Sequence, residues 1–405
     1  MSTDLFVDNH CHLFNIVDIP LYATLEGKLE MSTLKKFAFG LGLTIGSIPL
    51  FLAGTPKSKL KETEEFLRFF EREISSNIKW LAEQIHNTVP ADTDVLLTPL
   101  VMDFDLVDKN AKSGLDEPNA ERQLSRLVKA IKDTKGRTHG IKLCPFMGLD
   151  LRKLHNDGGL KAFQKIWKKY APKGEINSFD DLKTADVIGI KLYPPLGFNP
   201  YTRKQENRAK YIEFYKWCCD NDIPITAHCQ MSSFSPTKSN AVKRNTRPAN
   251  WWHLLRNNSE LHNLRINFAH FGGEDGVEDM FDWTFDGIDE SSWTYDLIKL
   301  LKKYPNTYSD VSAYDFADED ACVNINEVLT LDADGEFDKH GQYQLKDKLL
   351  WGSDVPMVIS DESYREGGDK DAYAAYKYFF KKFKNTISFY KDMTNKNSKI
   401  FLKLK

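Results

Sequence analysis

The most constraining feature of this sequence is a regular alternation between short apolar runs rich in β-branched residues and longer segments with helical periodicity. Most of the runs are hydrophobic at almost every position, as expected for strands of a sheet that helices cover. Eight strands that alternate with helices are typical of a closed parallel barrel. We therefore predict the α/β class and a (β/α)8 TIM barrel. The predicted strands are Leu5–Asn9, Asp94–Met102, His139–Pro145, Val187–Tyr193, Ile223–His228, Arg265–Ala269, Thr307–Val311 and Leu349–Gly352.

Segments between and after these runs carry apolar residues at helical spacing. No repeat, low-complexity tract or linker divides the chain, so we predict a single barrel domain over residues 1–405. Within it, residues 15–92 are predicted to form an insertion with a long helical segment. The predicted helices are Lys59–His86, Asn119–Lys132, Gly159–Tyr170, Arg208–Asn221, Trp251–Asn257, Trp293–Lys303, Ala372–Lys384 and Asn395–Leu404.

One stretch of the insertion, Phe37–Gly54, contains no charged residue and approaches the length of a membrane span. Its glycines and its proline weaken a helix. A single crossing would also place the first predicted strand and the later ones on opposite sides of a bilayer. We therefore predict a buried lid or an oligomer contact, so that a homo-oligomer is an expectation. Interfacial association with a membrane is the alternative.

The charge pattern indicates which partners to expect. The chain has 55 basic and 58 acidic residues, a net charge of −3, with no basic stripe typical of nucleic-acid-binding proteins. A small-molecule substrate is the predicted partner. Six scattered cysteines without a CxxC pair indicate reduced thiols. The first residues show no secretory leader. Together these features predict a cytoplasmic protein.

Side chains that bind metals stand where predicted strands end. His10 and His12 end the first run, and residues two apart on an extended chain face the same side. Such histidine pairs also arise by chance, so this pair alone is a weak signal. The other candidates are Lys191 within the fourth run, His228 ending the fifth, His270 ending the sixth and Asp354 after the eighth.

Each of these residues also has a purely structural interpretation. The histidines can be hydrogen-bonded core side chains, and Lys191 can pair with a neighbouring carboxylate. Their joint position decides between the interpretations, because barrel enzymes build active sites at the carboxyl ends of the strands. Histidine and carboxylate ligands suit zinc, manganese or iron. We predict a divalent metal site, with zinc as the first expectation.

Several phrases of the sequence, NLRINFAHFGG, RPANWWHLLR, LLWGSDVP and NKNSKIFLKL, resemble the amidohydrolase superfamily and its amidohydrolase-2 (amidohydrolase-related) branch. That branch contains hydrolases and also aminocarboxymuconate-semialdehyde and γ-resorcylate decarboxylases. The resemblance spans nearly the whole chain and is weakest from Asn15 to Asp92. It implies that one metal is held by His10, His12, His228 and Asp354, and that His270 activates water or polarises the substrate.

A second resemblance leaves the number of metal ions open. The string KLYPPLG is similar to a segment of dihydroorotases whose lysine is carboxylated and bridges two zinc ions. By that resemblance Lys191 would bridge two cations, His228 and His270 would bind the second one, and Asp354 would be the base. The amidohydrolase-2 branch often has a lysine here that binds no metal. Both one and two ions stay as expectations.

These expectations favour hydrolysis of a small cyclic amide, lactone or ester by a metal-activated water, with Asp354 and His270 as catalytic residues. Metal-dependent, non-oxidative decarboxylation of an aromatic or muconate-like acid is the alternative, since it needs the same ligands. A barrel without catalysis that binds a partner or a membrane is an alternative of another class. Candidate substrate-binding residues are Lys142, Tyr193, Arg244 and Arg247, the two arginines also fitting a solvated basic loop.

Overall fold

In the computed structural model, the described part of the chain has nine parallel strands at its centre. The structure describes residues 4–15, 18, 69, 71–107, 119–174, 176, 178–231, 233, 239–281, 287–314, 316, 319–357 and 374–404. The stretch Phe37–Gly54 lies outside these residues. The strands are β1 (Asp4–Cys11), β2 (Thr93–Pro99), β3 (Lys142–Leu143), β4 (Phe146–Leu149), β5 (Gly189–Leu192), β6 (Ile225–Gln230), β7 (Ile266–Gly272), β8 (Thr307–Asp310) and β9 (Leu349–Leu350).

The strands belong to two sheets, ordered β1-β2-β3 and β4-β5-β6-β7-β8-β9, with every neighbouring pair parallel. A hydrogen bond from the Val101 amide to the Phe146 carbonyl, 3.0 Å long, joins the two sheets on one side. On the other side the Asn9 amide donates to the Trp351 carbonyl over 3.0 Å. Because β3 and β4 together occupy one barrel position, the ring has eight positions. The predicted (β/α)8 TIM barrel is confirmed.

Helices cover the barrel, and several begin at the residues that cap them. The Asn119 side chain accepts a hydrogen bond from the Arg122 amide, and the Ser292 hydroxyl accepts one from the Tyr295 amide. The described α-helices of five or more residues are Ile74–His86, Ala120–Thr134, Gly159–Tyr170, Gln205–Asp220, Ser239–Thr246, Pro248–Asn257, Glu274–Glu278, Trp293–Lys303, Glu319–Ala333, Ala374–Tyr378 and Asn397–Leu402, with π-helical turns at Phe379–Phe383 and Asp392–Lys396. None of these described helices combines the length and apolar character needed to cross a bilayer.

Several sequence-based element predictions need correction. The third strand, predicted over His139–Pro145, is two short strands on either side of Cys144 and Pro145. Proline has no amide hydrogen, which interrupts a ladder at that point. The helices Ser239–Thr246, Glu274–Glu278 and Glu319–Ala333 were not predicted. The predicted helix Lys59–His86 is wrong at Arg72 and Glu73, which are not helical; the structure shows a helix over Ile74–His86, and residues 59–68 and 70 lie outside the described part.

The barrel is filled by side chains at the amino ends of its strands. Leu5, Leu96 and Tyr308 belong to one buried cluster there, together with Phe401 of the last helix. The Phe401 ring lies 6.2 Å from Phe146 and 5.4 Å from Tyr308, centroid to centroid. This plug closes one end of the barrel, so polar side chains in its interior meet at the opposite end.

Candidate metal centre

Three predicted ligands converge beyond the carboxyl ends of β1 and β9. The Oδ1 atom of Asp354 lies 3.4 Å from Nε2 of His10 and 3.3 Å from Nε2 of His12. All three side chains are buried. Two atoms that each bind a tetrahedral zinc ion at about 2.0–2.1 Å lie roughly 3.3 Å apart. The two distances from Asp354 Oδ1 therefore match those between ligands of one cation, and the three residues offer ligand atoms within 4.8 Å of one another.

The far sides of both imidazole rings show where their protons reside. Nδ1 of His12 lies 3.1 Å from the Leu100 carbonyl oxygen, which can only accept a hydrogen bond. Nδ1 of His10 lies 3.2 Å from Oδ2 of Asp310, also an acceptor. In this geometry the neutral form of either ring carries its proton on Nδ1 and points an electron pair from Nε2 at Asp354. Three electron pairs that face one another without a proton fit a bound cation.

Lys191 lies beside these ligands in β5, where it is 1% exposed. Its Nζ atom has no hydrogen-bond partner among the described residues. Burial lowers the pKa of Lys191 to about 8, although the charges of Asp310 and Asp354 raise it. The Nζ atom is 5.8 Å from the centre of the Tyr193 ring. A buried amine with such a pKa is available for a substrate anion or for carboxylation.

His228 and His270 form the other side of the cluster. Nε2 of His270 lies 3.0 Å from Nδ1 of His228, and the Tyr193 ring lies 4.9 Å from the His228 ring. Burial lowers the pKa of His270 well below its usual value, and the pKa of His10 likewise. The His270 ring is 4.6 Å from the His10 ring, centroid to centroid. Both histidines are therefore held neutral, as metal ligands and polarising groups must be.

The backbone at these positions has uncommon conformations. His270 has a φ angle of 75° and Asp354 one of 53°, in the left-handed region that non-glycine residues seldom adopt. Such strain clusters at functional sites. Gly352 is required for a different reason, because a Cβ atom there would lie 2.5 Å from Cβ of His10. These strained and closely packed positions lie at or beside the proposed ligands that follow the first and last strands.

Not every predicted site residue belongs to this cluster. Tyr193 does, through the ring contacts described above. Nζ of Lys142 instead donates to Asp180 Oδ1 over 2.9 Å and lies 3.7 Å from the Phe179 ring, in the segment before β5. Arg244 and Arg247 are exposed residues that follow β6, and no contact of theirs with the cluster is seen in the described part of the chain.

The sequence reasoning overlooked two residues that touch the predicted ligands. Asp310 is the last residue of β8, and its carboxylate contacts the His10 ring. The Ser312 hydroxyl contacts both the His10 and His270 rings. The sequence contained a signal for Asp310, because it is a carboxylate near the end of the predicted seventh strand. Asp354 was selected by the same kind of signal after the eighth strand.

A family model described as "Amidohydrolase" matches residues 180–384, about half of the chain. No curated protein matches the sequence. Among solved structures, an IDCase from Metarhizium anisopliae shares 12% identity with a TM-score of 0.46, over 99% of this chain and 98% of that one. An amidohydrolase from Mycobacterium avium subsp. paratuberculosis shares 11% with a TM-score of 0.42, over 87% and 80%. A uronate isomerase from Bacillus halodurans shares 14% with a TM-score of 0.41, over 100% and 94%.

Proposed function

The chain belongs to the amidohydrolase family, and from that membership we propose that it is a metal-dependent hydrolase of a small cyclic amide, lactone or ester. The observation that carries the proposal is the convergence of Nε2 of His10 and Nε2 of His12 on Oδ1 of Asp354, which lies 3.3–3.4 Å from each nitrogen, as two ligands of one cation would. Two histidines and a carboxylate are a common catalytic zinc set. Zinc is therefore the expected metal, with manganese or iron as alternatives.

A bound divalent cation supplies a lowered pKa for water and a polarised substrate carbonyl. In the proposed reaction Asp354 uses its second carboxylate oxygen, Oδ2, to take a proton from the attacking water and return it to the leaving group. His270 is neutral and lies within the same buried cluster, where its Nε2 electron pair would orient the attacking water or bind a second cation. His228 is the fourth proposed ligand, and Tyr193 lines the site beside it.

The test joins metal analysis to a substrate panel. The purified protein is analysed for zinc, manganese and iron, then stripped, reloaded and assayed by acid release from lactones, cyclic amides and esters. We expect metal in stoichiometric amount and acid release that chelation removes. A protein that neither contains metal nor takes it up would contradict the proposal. The same analysis separates one ion per chain from two, and intact mass measurement after exposure to 13C-bicarbonate shows whether Lys191 is carboxylated.

Non-oxidative decarboxylation of an aromatic or muconate-like acid is the second candidate, and the buried amine of Lys191 is the observation that favours it. An ammonium group without a partner among the described residues suits a substrate carboxylate. The Lys191→Met variant separates the candidates. Decarboxylation should then lose carboxylate binding, seen as a raised KM, whereas hydrolysis of an uncharged lactone should keep its KM. Release of CO2 without any acid release by the wild-type enzyme would contradict the hydrolase proposal.

A further inference from the structure

Asp310, which none of the predictions included, is fully buried at the carboxyl end of β8 and accepts hydrogen bonds from several directions. Its carboxylate accepts hydrogen bonds from donors on β1, on β7 and in the loop that follows β8. Those donors are Nδ1 of His10 at 3.2 Å, Nδ2 of Asn267 at 2.6 Å, the His270 amide at 3.1 Å, the Ser312 amide at 3.3 Å and the Ser312 hydroxyl.

The Ser312 hydroxyl links the Asp310 carboxylate to a second histidine, His270. It lies 3.1 Å from Nδ1 of His10 and 2.9 Å from Nδ1 of His270. Since a hydroxyl has one proton and that proton goes to Asp310, its oxygen must accept from the rings. Nδ1 of His270 also faces the Ser312 carbonyl at 3.3 Å, another acceptor. Both rings are therefore fixed with their protons on Nδ1.

The same geometry excludes a competing interpretation. His10, His270 and Asp310 offer ligand atoms within 4.8 Å of one another and could in principle hold a cation. The Ser312 hydroxyl, however, lies between these three side chains and contacts all of them. Its hydrogen bonds occupy the atoms that a cation would need. Asp310 thus acts from behind the histidines, on the side away from Asp354.

We propose that Asp310 is a positioning residue for the metal centre: it holds the proton on Nδ1 of His10, so that Nε2 keeps an electron pair for the cation, and with Ser312 it fixes His270 in the same way. This inference rests on the proposed metal-dependent function, which it extends to a residue that touches no substrate. A carboxylate or carbonyl behind a histidine ligand fixes its tautomer and raises its basicity.

An amide cannot replace this carboxylate. In an Asp310→Asn variant the side chain keeps its shape, but its NH2 group would meet donors on at least one side of the former carboxylate. The arrangement that satisfies the NH2 group is a His10 ring with its proton moved to Nε2. That ring has no electron pair to offer at the cation position. The substitution should therefore weaken metal binding without removing any ligand.

The experiment compares zinc affinity of wild type, Asp310→Asn and Asp332→Asn by competition with a chromophoric chelator at pH 8. Asp332 is a matched control, because it is a buried carboxylate bonded to Lys302 and to the Leu345 amide, away from the metal ligands. We expect Asp310→Asn to bind zinc about 10- to 100-fold more weakly, and Asp332→Asn to stay within about threefold of wild type while losing thermal stability. The cobalt-substituted protein should show a changed visible spectrum in Asp310→Asn alone.

A second measurement covers the case in which Asp310→Asn does not fold. In metal-free wild-type protein labelled with 15N-histidine, the resonances of His10, assigned by their loss in His10→Asn, should show the proton on Nδ1. A proton on Nε2 overturns the inference. Zinc affinity of a folded Asp310→Asn within threefold of wild type overturns it too, and leaves the metal-dependent function standing. Wild-type protein that binds no zinc overturns that function and this role together.

Discussion

Asp354 is the residue at which folding and metal binding make opposite demands. Its Oδ1 atom lies 3.3–3.4 Å from Nε2 of His10 and of His12, and it makes no close hydrogen bond in the described part of the chain. Burial raises the pKa of this carboxyl, as expected for a group taken out of water without full compensation. The arrangement is unfavourable in the empty protein and favourable once a cation lies among the three atoms.

The Asp354→Asn variant should therefore separate stability from function. An amide NH2 group at this position can donate to Nε2 of His10 or His12, so we expect the metal-free variant to melt no lower than metal-free wild type at pH 8. It should lose most zinc affinity and most turnover. Differential scanning calorimetry and zinc titration measure the two effects. Turnover near the wild-type level would exclude Asp354 as the base.

Single residues show how far sequence reasoning reaches. His10, His12, His228, His270 and Asp354 could be selected because each stands where an apolar run ends, a position that chain order alone reveals. Which way a side chain points within a run depends on register and bulges, which chain order does not reveal. Lys142 was therefore expected to line the pocket, whereas its ammonium group contacts Asp180. Asp310 and Ser312 act through contacts between strands 300 residues apart.

At the scale of elements, Asp8 ties together the two strand ends that carry ligands. Its Oδ1 atom accepts from the His10 amide and from the Ser353 amide, both at 3.0 Å. Its Oδ2 atom accepts from the Ser353 hydroxyl at 2.6 Å and from the Tyr376 hydroxyl at 2.5 Å. Burial raises the pKa of Asp8 to about 6 in spite of these donors, which lower it. The helix Ala374–Tyr378 thereby supports the candidate metal centre from outside the barrel.

Removing one of these donors should cost stability in a pH-dependent way. Tyr376→Phe keeps the ring but leaves Asp8 with fewer donors, so the folded-state pKa of Asp8 should rise further. Between the unfolded value of 3.8 and the folded value, the folded state binds more protons and stability falls as pH rises. Because the folded-state pKa of Asp8 is higher in the variant, the pH range over which stability falls extends to higher pH. We expect a loss of about 1–3 kcal/mol at pH 8 and a smaller loss at pH 5, measured by urea unfolding.

Tyr215→Phe is the control for this prediction. The Tyr215 hydroxyl is also buried, but it donates to the Pro200 carbonyl, which does not titrate in this range. Its loss should cost the same at pH 5 and pH 8. Equal costs at the two pH values for Tyr376→Phe as well would show that Asp8 is not the group through which Tyr376 acts.

Elements were predicted from the sequence where their periodicity was long and regular. Gly159–Tyr170 and Trp293–Lys303 have the bounds that apolar spacing alone indicated. The prediction of the third barrel strand was wrong because a proline and a cysteine divide it into pieces of two and four residues, too short for periodicity to show. The register of β1 also shifts between Asp8 and Cys11. Packing against neighbouring strands, which local sequence does not encode, sets such irregularities.

At the scale of the whole molecule, the candidate metal centre spans the seam at which the barrel closes. His10 and His12 end the first strand, and Asp354 follows the last, more than 340 residues later. The backbone bonds across this seam are few in the described residues: the Asn9 amide to Trp351, the Asp354 amide to the His10 carbonyl at 2.7 Å and the His12 amide to the Val355 carbonyl at 2.6 Å. A cation held by ligands from both sides would add cross-links to this contact.

Zinc should therefore protect the seam more than the rest of the barrel. A ligand that binds only the folded state stabilises it by RT ln(1 + [L]/Kd), about 4 kcal/mol at a thousandfold excess over Kd. Regions that open locally show such a gain only if their opening releases the metal. Hydrogen exchange followed by mass spectrometry should thus slow most in peptides from residues 4–12 and 349–357 when zinc is added to metal-free protein. The helix Gly159–Tyr170, which carries no ligand, should change less. Equal protection of that helix and the seam would mean that closure does not depend on the cation, and that the barrel opens only by unfolding as a whole.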